Sequence, residues 1–194
     1  MNVLAGLRRG ALRMLAGVAI VGSLVVGPAH GAACSAKSGP RAVPLVELYT
    51  SEGCSSCPPA DRWLSTTFTG DAAGTKAIPL AFHVDYWDRL GWKDRFGAAA
   101  FTERQYDAMR ANRARFVYTP QVLVQGRDFP DWRKRGDMTA LSAAGAEPAR
   151  AEITLAAEPQ RGSIAVKVSA RVPSGGARRD VALYVALADS GLAS

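Results

Sequence analysis

Metal-binding side chains are scarce in this chain. Its 194 residues hold two histidines, His30 and His83, and three cysteines, Cys34, Cys54 and Cys57. Structural zinc takes four such ligands. His30 and Cys34 fall at the end of an N-terminal leader, so no complete zinc set is left. Acids are missing altogether before Glu47. Dense basic clusters are missing too. The net charge is +7, and Arg8, Arg9 and Arg13 supply three of those charges. The tightest later run, Arg133-Lys134-Arg135, is short and reads as a solvated loop. A nucleic-acid groove wants clustered basic residues interleaved with aromatics, so no nucleic-acid partner is expected. Beyond the leader, no apolar run is long enough to span a bilayer. The sequence also lacks internal repeats and low-complexity tracts.

What is present begins with an export signal over residues 1–33. Arg8 and Arg9 form a basic start, Leu15 to Val26 an apolar run, and Ala29, Gly31, Ala32 and Ala33 a small-residue cleavage region. The mature protein is therefore expected to be periplasmic or secreted, with no stable membrane span once the signal is removed. Cys34 follows the cleavage region. Gly31 stands three before it, where lipoprotein signals place a large aliphatic residue, so Cys34 reads as a spare N-terminal thiol rather than a lipid anchor.

Residues 34–41 are small and polar and read as a linker. Val43 to Tyr49 predicts a buried strand. A polar turn then leads into Cys54-Ser55-Ser56-Cys57-Pro58-Pro59. Proline suits the first turn of a helix, where its missing N–H has no partner to lose, so a helix is expected over 58–67. Ile78 to Val84 predicts a second buried strand, followed by a loop from Asp85 to Gly97. Residues 98–114 are helical in composition, with Ala98, Phe101, Tyr106 and Met109 on a core-facing arc. Gln121 to Val124 predicts a further strand, and Asp137 caps a last helix ending at Ala146. The order strand–helix–strand–helix–strand–strand–helix implies a central sheet with helices on its faces, an α/β class. After Pro148 the pattern becomes period two. Ala151–Ala157, Ile164–Val172 and Val181–Leu187 predict a three-stranded antiparallel meander. This gives a domain over 42–148 and a β-rich C-terminal domain over 149–194.

The chemistry-bearing feature is the pair Cys54 and Cys57. It lies where a strand ends and a helix begins. Helix N-terminal N–H groups and the dipole stabilise a thiolate there. Cys54 would be the exposed nucleophile, and Cys57 the resolving thiol, placed to attack a mixed disulfide formed by Cys54. Two other readings of the pair stay open: a Cu(I) clamp of two soft thiolates, and a static disulfide, the usual state of exported cysteines. His83 lies in an apolar strand pattern and reads as a core or edge histidine.

Strand, CxxC, helix, strand, and later Thr119-Pro120 before another strand together resemble the thioredoxin superfamily. The stretches VELYTSEGCSSCPPADRWL, FHVDYWDRLGWKDRFG and YTPQVLVQGR are similar to those of an exported bacterial thioredoxin-like family of unknown function. The resemblance covers residues 43–188. It implies a thioredoxin-like fold with a small C-terminal antiparallel β domain. The family pattern continues past Ser194, so that domain reads as incomplete. It also implies a cis bond before Pro120, which faces the dithiol, and a buried acid at Glu47. Gly53 stands where thioredoxins carry Trp.

The expected function is thiol–disulfide exchange on the thiols or disulfides of exported envelope proteins, with no cofactor. Cys54 attacks, Cys57 resolves, Pro120 shapes the docking edge and Glu47 shuttles a proton. Asp85, Tyr86, Trp87 and Thr119 would wall a partner groove, because sites form beyond the carboxyl ends of parallel strands.

Overall fold

The computed structural model describes residues 33–68, 77–134, 138–172 and 182–192. The expected signal peptide, apart from residue 33, lies outside them.

The β-prone run before the cysteines forms strand β2 (Leu45–Thr50), after a short β1 (Cys34–Lys37). Helix α1 (Pro58–Thr67) matches the expected bounds, with both prolines in its first turn. β3 (Ile78–His83), α2 (Ala99–Ala111), β4 (Gln121–Val124), β5 (Arg127–Asp128) and α3 (Thr139–Ala146) follow. Met138 holds the cap position of α3, and the expected cap, Asp137, lies outside the described residues. The chain closes with β6 (Glu152–Gln160) and β7 (Ser163–Arg171).

The molecule is α/β with two sheets. The larger has the order β3-β2-β4-β5, with β2 and β3 parallel and β4 antiparallel to β2. Alternation along β2 sorts its side chains between two faces. Val46 and Leu48 pack with Val122 and Val124 of β4, Ala60 and Leu64 of α1, and Leu141 of α3. Tyr49 packs on the other face with Val84 and Leu123, against Phe82 and Ala108 of α2. β3 differs from the expected buried strand. It is the edge of the sheet among the described residues, and none of its residues is fully buried.

The smaller sheet has the antiparallel order β1-β6-β7. Here two expectations are corrected. Residues 34–41 are no linker, because Cys34–Lys37 pair with β6 from Ala157 back to Thr154. Beyond β1 the chain stays beside the start of β6: Ala42 N–H donates to Glu147 O at 2.9 Å and Ala149 N–H to Pro40 O at 2.9 Å. The third strand expected at Val181–Leu187 does not form, since residues 182–190 carry no strand. A meander would set that strand on the outer edge of β7, and among the described residues that edge has no partner, so the period-two pattern alone does not make a strand.

Candidate functional site

The two cysteines sit in consecutive turns between β2 and α1. Cys54 N–H donates to Ser51 O and Cys57 N–H to Cys54 O, both at 3.1 Å. Ala60 and Asp61 N–H then both reach Cys57 O, at 2.8 and 3.2 Å. Cys57 is the residue before the first helical turn, and Pro58 and Pro59 occupy that turn. The two sulfurs form a disulfide, while Cys34 is free and exposed.

Burial corrects one part of the sequence reading. Cys54, expected as the exposed member, is only 2% exposed, against 0% for Cys57. Ser55 and Ser56 between them are exposed. The electrostatic reading also changes. Pro58 and Pro59 carry no N–H, and the next two N–H groups are satisfied by Cys57 O. The helix's own N–H groups are thus not free for a thiolate. The polar neighbour of Cys54 Sγ is the Ser56 hydroxyl, at 3.5 Å.

The loop after β3 closes onto these turns. A Cβ at Gly53 would stand 3.3 Å from Trp87 Cβ and 3.6 Å from Trp92 O. The first contact is tight and the second ordinary, so a side chain at 53 would crowd Trp87 and the glycine lets that ring lie close. Trp87 Nε1–H in turn donates to Thr119 Oγ1 at 2.8 Å. The Thr119–Pro120 bond is cis, as the resemblance implied. Trp87 therefore links the cysteine turn to the residues before β4. Asp94 straps the same loop from below. Its Oδ2 accepts from Glu52 N–H at 2.8 Å and shares a 2.7 Å hydrogen bond with His83 Nδ1, and its Oδ1 accepts from Phe96 N–H at 2.8 Å. Burial works against the Asp94 charge, but these donors outweigh it and hold its pKa below the usual carboxylate value.

Of the four expected groove residues, Trp87 and Thr119 meet beside the cysteine turn. Asp85 turns instead to α2, while Tyr86 reaches α2 and also lies beside Thr119. Asp85 Oδ1 accepts from Thr102 Oγ1 at 2.6 Å, and Tyr86 OH donates to Gln105 Oε1 at 3.3 Å. Glu47 is buried as expected, but on the α2 face of β2, opposite α1. There Arg104 Nε–H and Nη2–H both reach its Oε1 at 2.7 Å. That ion pair ties up the carboxylate and does not direct it to Cys57.

A different acid lies on the α1 side. Asp61 follows Cys57 by four residues, one helical turn, and so shares its face of the helix. Its Oδ1 accepts from Thr50 Oγ1 at 2.8 Å, and burial raises its pKa. Neither Asp61 nor Asp94 stands out by sequence alone. The i, i+4 spacing from Cys57 to Asp61 was the available signal for the first. Asp94 comes from a distant loop and had none.

Among known proteins, the family described as "Protein of unknown function (DUF1223)" matches residues 45–194. No curated protein matches the chain. A protein from Agrobacterium tumefaciens, known from an X-ray crystal structure, is 36% identical over 59% of this chain and 56% of its own, with a TM-score of 0.48. The chain thus spans little more than half the length of that relative.

Proposed function

Since the chain belongs to the DUF1223 family, described as proteins of unknown function, we propose its activity from the site alone: thiol–disulfide exchange with exported proteins of the cell envelope, carried by Cys54 and Cys57. The observation that carries this reading is the position of the disulfide. It lies at the head of α1, at the carboxyl end of β2, with Trp87 against the neighbouring Gly53 and hydrogen-bonded in turn to Thr119, the residue before the cis Pro120. A disulfide that only stapled the fold would need no such edge. The sheet order β3-β2-β4-β5 supports a thioredoxin-like reading of the domain over 42–148. The envelope is the proposed compartment because residues 1–33 have the order of an export signal.

In the reducing direction, the Cys54 thiolate attacks one sulfur of a substrate disulfide. An S–S bond forms to Cys54 and one substrate thiolate leaves. Cys57 then loses its proton and attacks Cys54 Sγ, releasing the second substrate thiolate. The protein ends as the disulfide and the substrate as two thiols. Asp61, on the Cys57 face of α1 and with a raised pKa, is the proposed proton acceptor for Cys57, in place of Glu47. Trp87 and Thr119 would border the substrate.

A trapping experiment tests this. Both variants carry Cys34→Ser, because a free exposed thiol would mimic the result. Cys57→Ser should accumulate mixed disulfides with envelope proteins, and Cys54→Ser almost none. The burial of Cys54 supports a second reading, a static disulfide. Trapping by neither variant, with equal slow alkylation of both reduced thiols, would establish it.

A further inference from the structure

We propose that this pair is built to donate electrons: its substrates are disulfides of exported proteins, which it reduces to dithiols. The proposal rests on the exchange reading above. The direction of such a couple depends on how far the protein stabilises its reduced form, and chiefly on how readily the attacking thiol ionises. A strongly oxidising pair owes that power to a stabilised thiolate.

Three independent features of this site withhold that stabilisation. Proline occupies both first positions of α1, so two N–H donors that a helix start ordinarily presents are absent. The following two, on Ala60 and Asp61, are engaged by Cys57 O. Second, Cys54 is almost fully buried, and burial disfavours the charged form of a thiol. Third, the surrounding turns bring no surplus of positive charge to hold a thiolate. Glu52, two residues before Cys54, pairs with Arg95 at 3.7 Å, Asp94 shares a 2.7 Å hydrogen bond with His83, and Asp61, one turn past Cys57, has Arg62 beside it. The Ser56 hydroxyl at 3.5 Å is neutral and exposed, so it is a weak offset.

The consequence is quantitative. At pH 7, a thiol of pKa about 3.5 would tip the couple towards its dithiol by about 3,000-fold, whereas one of pKa about 7 or more tips it by about twofold or less. Without that tilt, the Cys54–Cys57 disulfide is the favoured state and the dithiol gives up its electrons. Each turnover forms one protein disulfide and breaks one substrate disulfide. A dithiol protein of the envelope or its membrane must return two electrons and two protons to restore Cys54 and Cys57.

The test uses the mature chain with Cys34→Ser. The pH dependence of iodoacetamide labelling of Cys54 is measured, together with exchange against a synthetic peptide in its disulfide and dithiol forms. The expected labelling midpoint lies at or above about pH 7, and electrons pass from protein to peptide. A second variant, Pro58→Ala with Pro59→Ala, restores the two N–H donors with a residue that favours helix. It should lower the midpoint and shift the equilibrium with glutathione towards the dithiol by about two- to fivefold per donor. A wild-type midpoint below about pH 5, net oxidation of the dithiol peptide, or no shift on removing the prolines would each overturn the proposal while leaving exchange intact. No exchange with either peptide form would overturn the exchange reading itself, and this proposal with it.

Discussion

The two sheets of this chain treat their apolar residues in opposite ways. In the four-stranded sheet, Val46, Leu48, Val122 and Leu123 are all but inaccessible, covered by α1 and α3 on one face and α2 on the other. In the three-stranded sheet no residue of β1, β6 or β7 is fully buried. Yet the smaller sheet has the cleaner pattern. Its register sets Ile153, Leu155 and Ala157 opposite Ala170, Val168 and Val166, and Ala36 opposite Leu155. These share one face, since residues directly opposite in a sheet point the same way. Among the described residues that face stays open, and Ile164 and Val166 are about half exposed. Alternation therefore reports a face suited to burial, and only a second layer turns it into a core.

The sharpest way to break this comparison is to cut the same kind of side chain from each sheet. Leu48→Ala, at a site with 0% exposure, should cost about 3 kcal/mol through lost transfer energy and a cavity. Val166→Ala, at a site with 49% exposure, should cost less than about 1 kcal/mol. Urea unfolding followed by circular dichroism measures both. A loss at Val166 as large as that at Leu48 would show that the smaller sheet is covered in solution.

Polar burial in the larger sheet gives a somewhat smaller effect. Arg104→Ala would leave Glu47 buried without its counter-charge, at a cost of about 2–3 kcal/mol. Combining it with Glu47→Gln should recover most of that loss, because the stranded charge is then gone. Full additivity of the two substitutions would argue against the pairing.

The strap at the cysteine turn should respond to acid. The pKa of Asp94 is lower in the fold than in the unfolded chain, so the folded state holds its proton less tightly. Its stabilisation is present above the unfolded value, about 4, and is lost as pH falls through the folded value. Asp61 has the opposite sign. Its raised pKa makes ionisation a cost near neutral pH, relieved on acidification. Asp94→Asn should flatten the acid limb of a stability–pH curve, and Asp61→Asn should steepen it. An unchanged curve for Asp94→Asn would remove the strap from the account.

The smallest effect belongs to the smaller sheet. Lys37 and Glu152 pair across β1 and β6 at 3.1 Å with both side chains exposed. Lys37→Ala should change stability by less than about 0.5 kcal/mol, with the difference vanishing in 1 M salt. A larger, salt-independent loss would mean that the side chain matters by packing.

Much of the larger sheet was legible from local pattern. The helix after the cysteines and the strand after Pro120 fall at their expected bounds, and α2 spans Ala99–Ala111 within the expected 98–114. The buried face of α2 was not legible. Thr102 and Gln105 are its buried residues, whereas Phe101, Tyr106 and Met109 are half-buried. Hydropathy points to the aromatic arc. The fold instead places hydrogen-bonding groups where Asp85, Tyr86, Gln121 and the Tyr118 carbonyl need partners. In the smaller sheet, β6 and β7 were legible and β1 was not, because four residues without an apolar alternation carry no periodic signal and the strand is defined by the edge it meets.

The sequence by itself determined the elements whose cause is local: prolines that start α1, alternation that makes strands, a two-residue spacer that lets Cys54 and Cys57 join. Those depend on neighbours within one turn or one strand. Only the tertiary structure decided which groups surround the pair. Trp87, Thr119 and Asp94 are distant in sequence from the cysteine turns they serve or flank, and they arrive there because β3 and β4 pair with β2. The exposure of Cys54 was decided in the same way. A spacing says that two sulfurs can meet, whereas burial depends on every segment that closes over them.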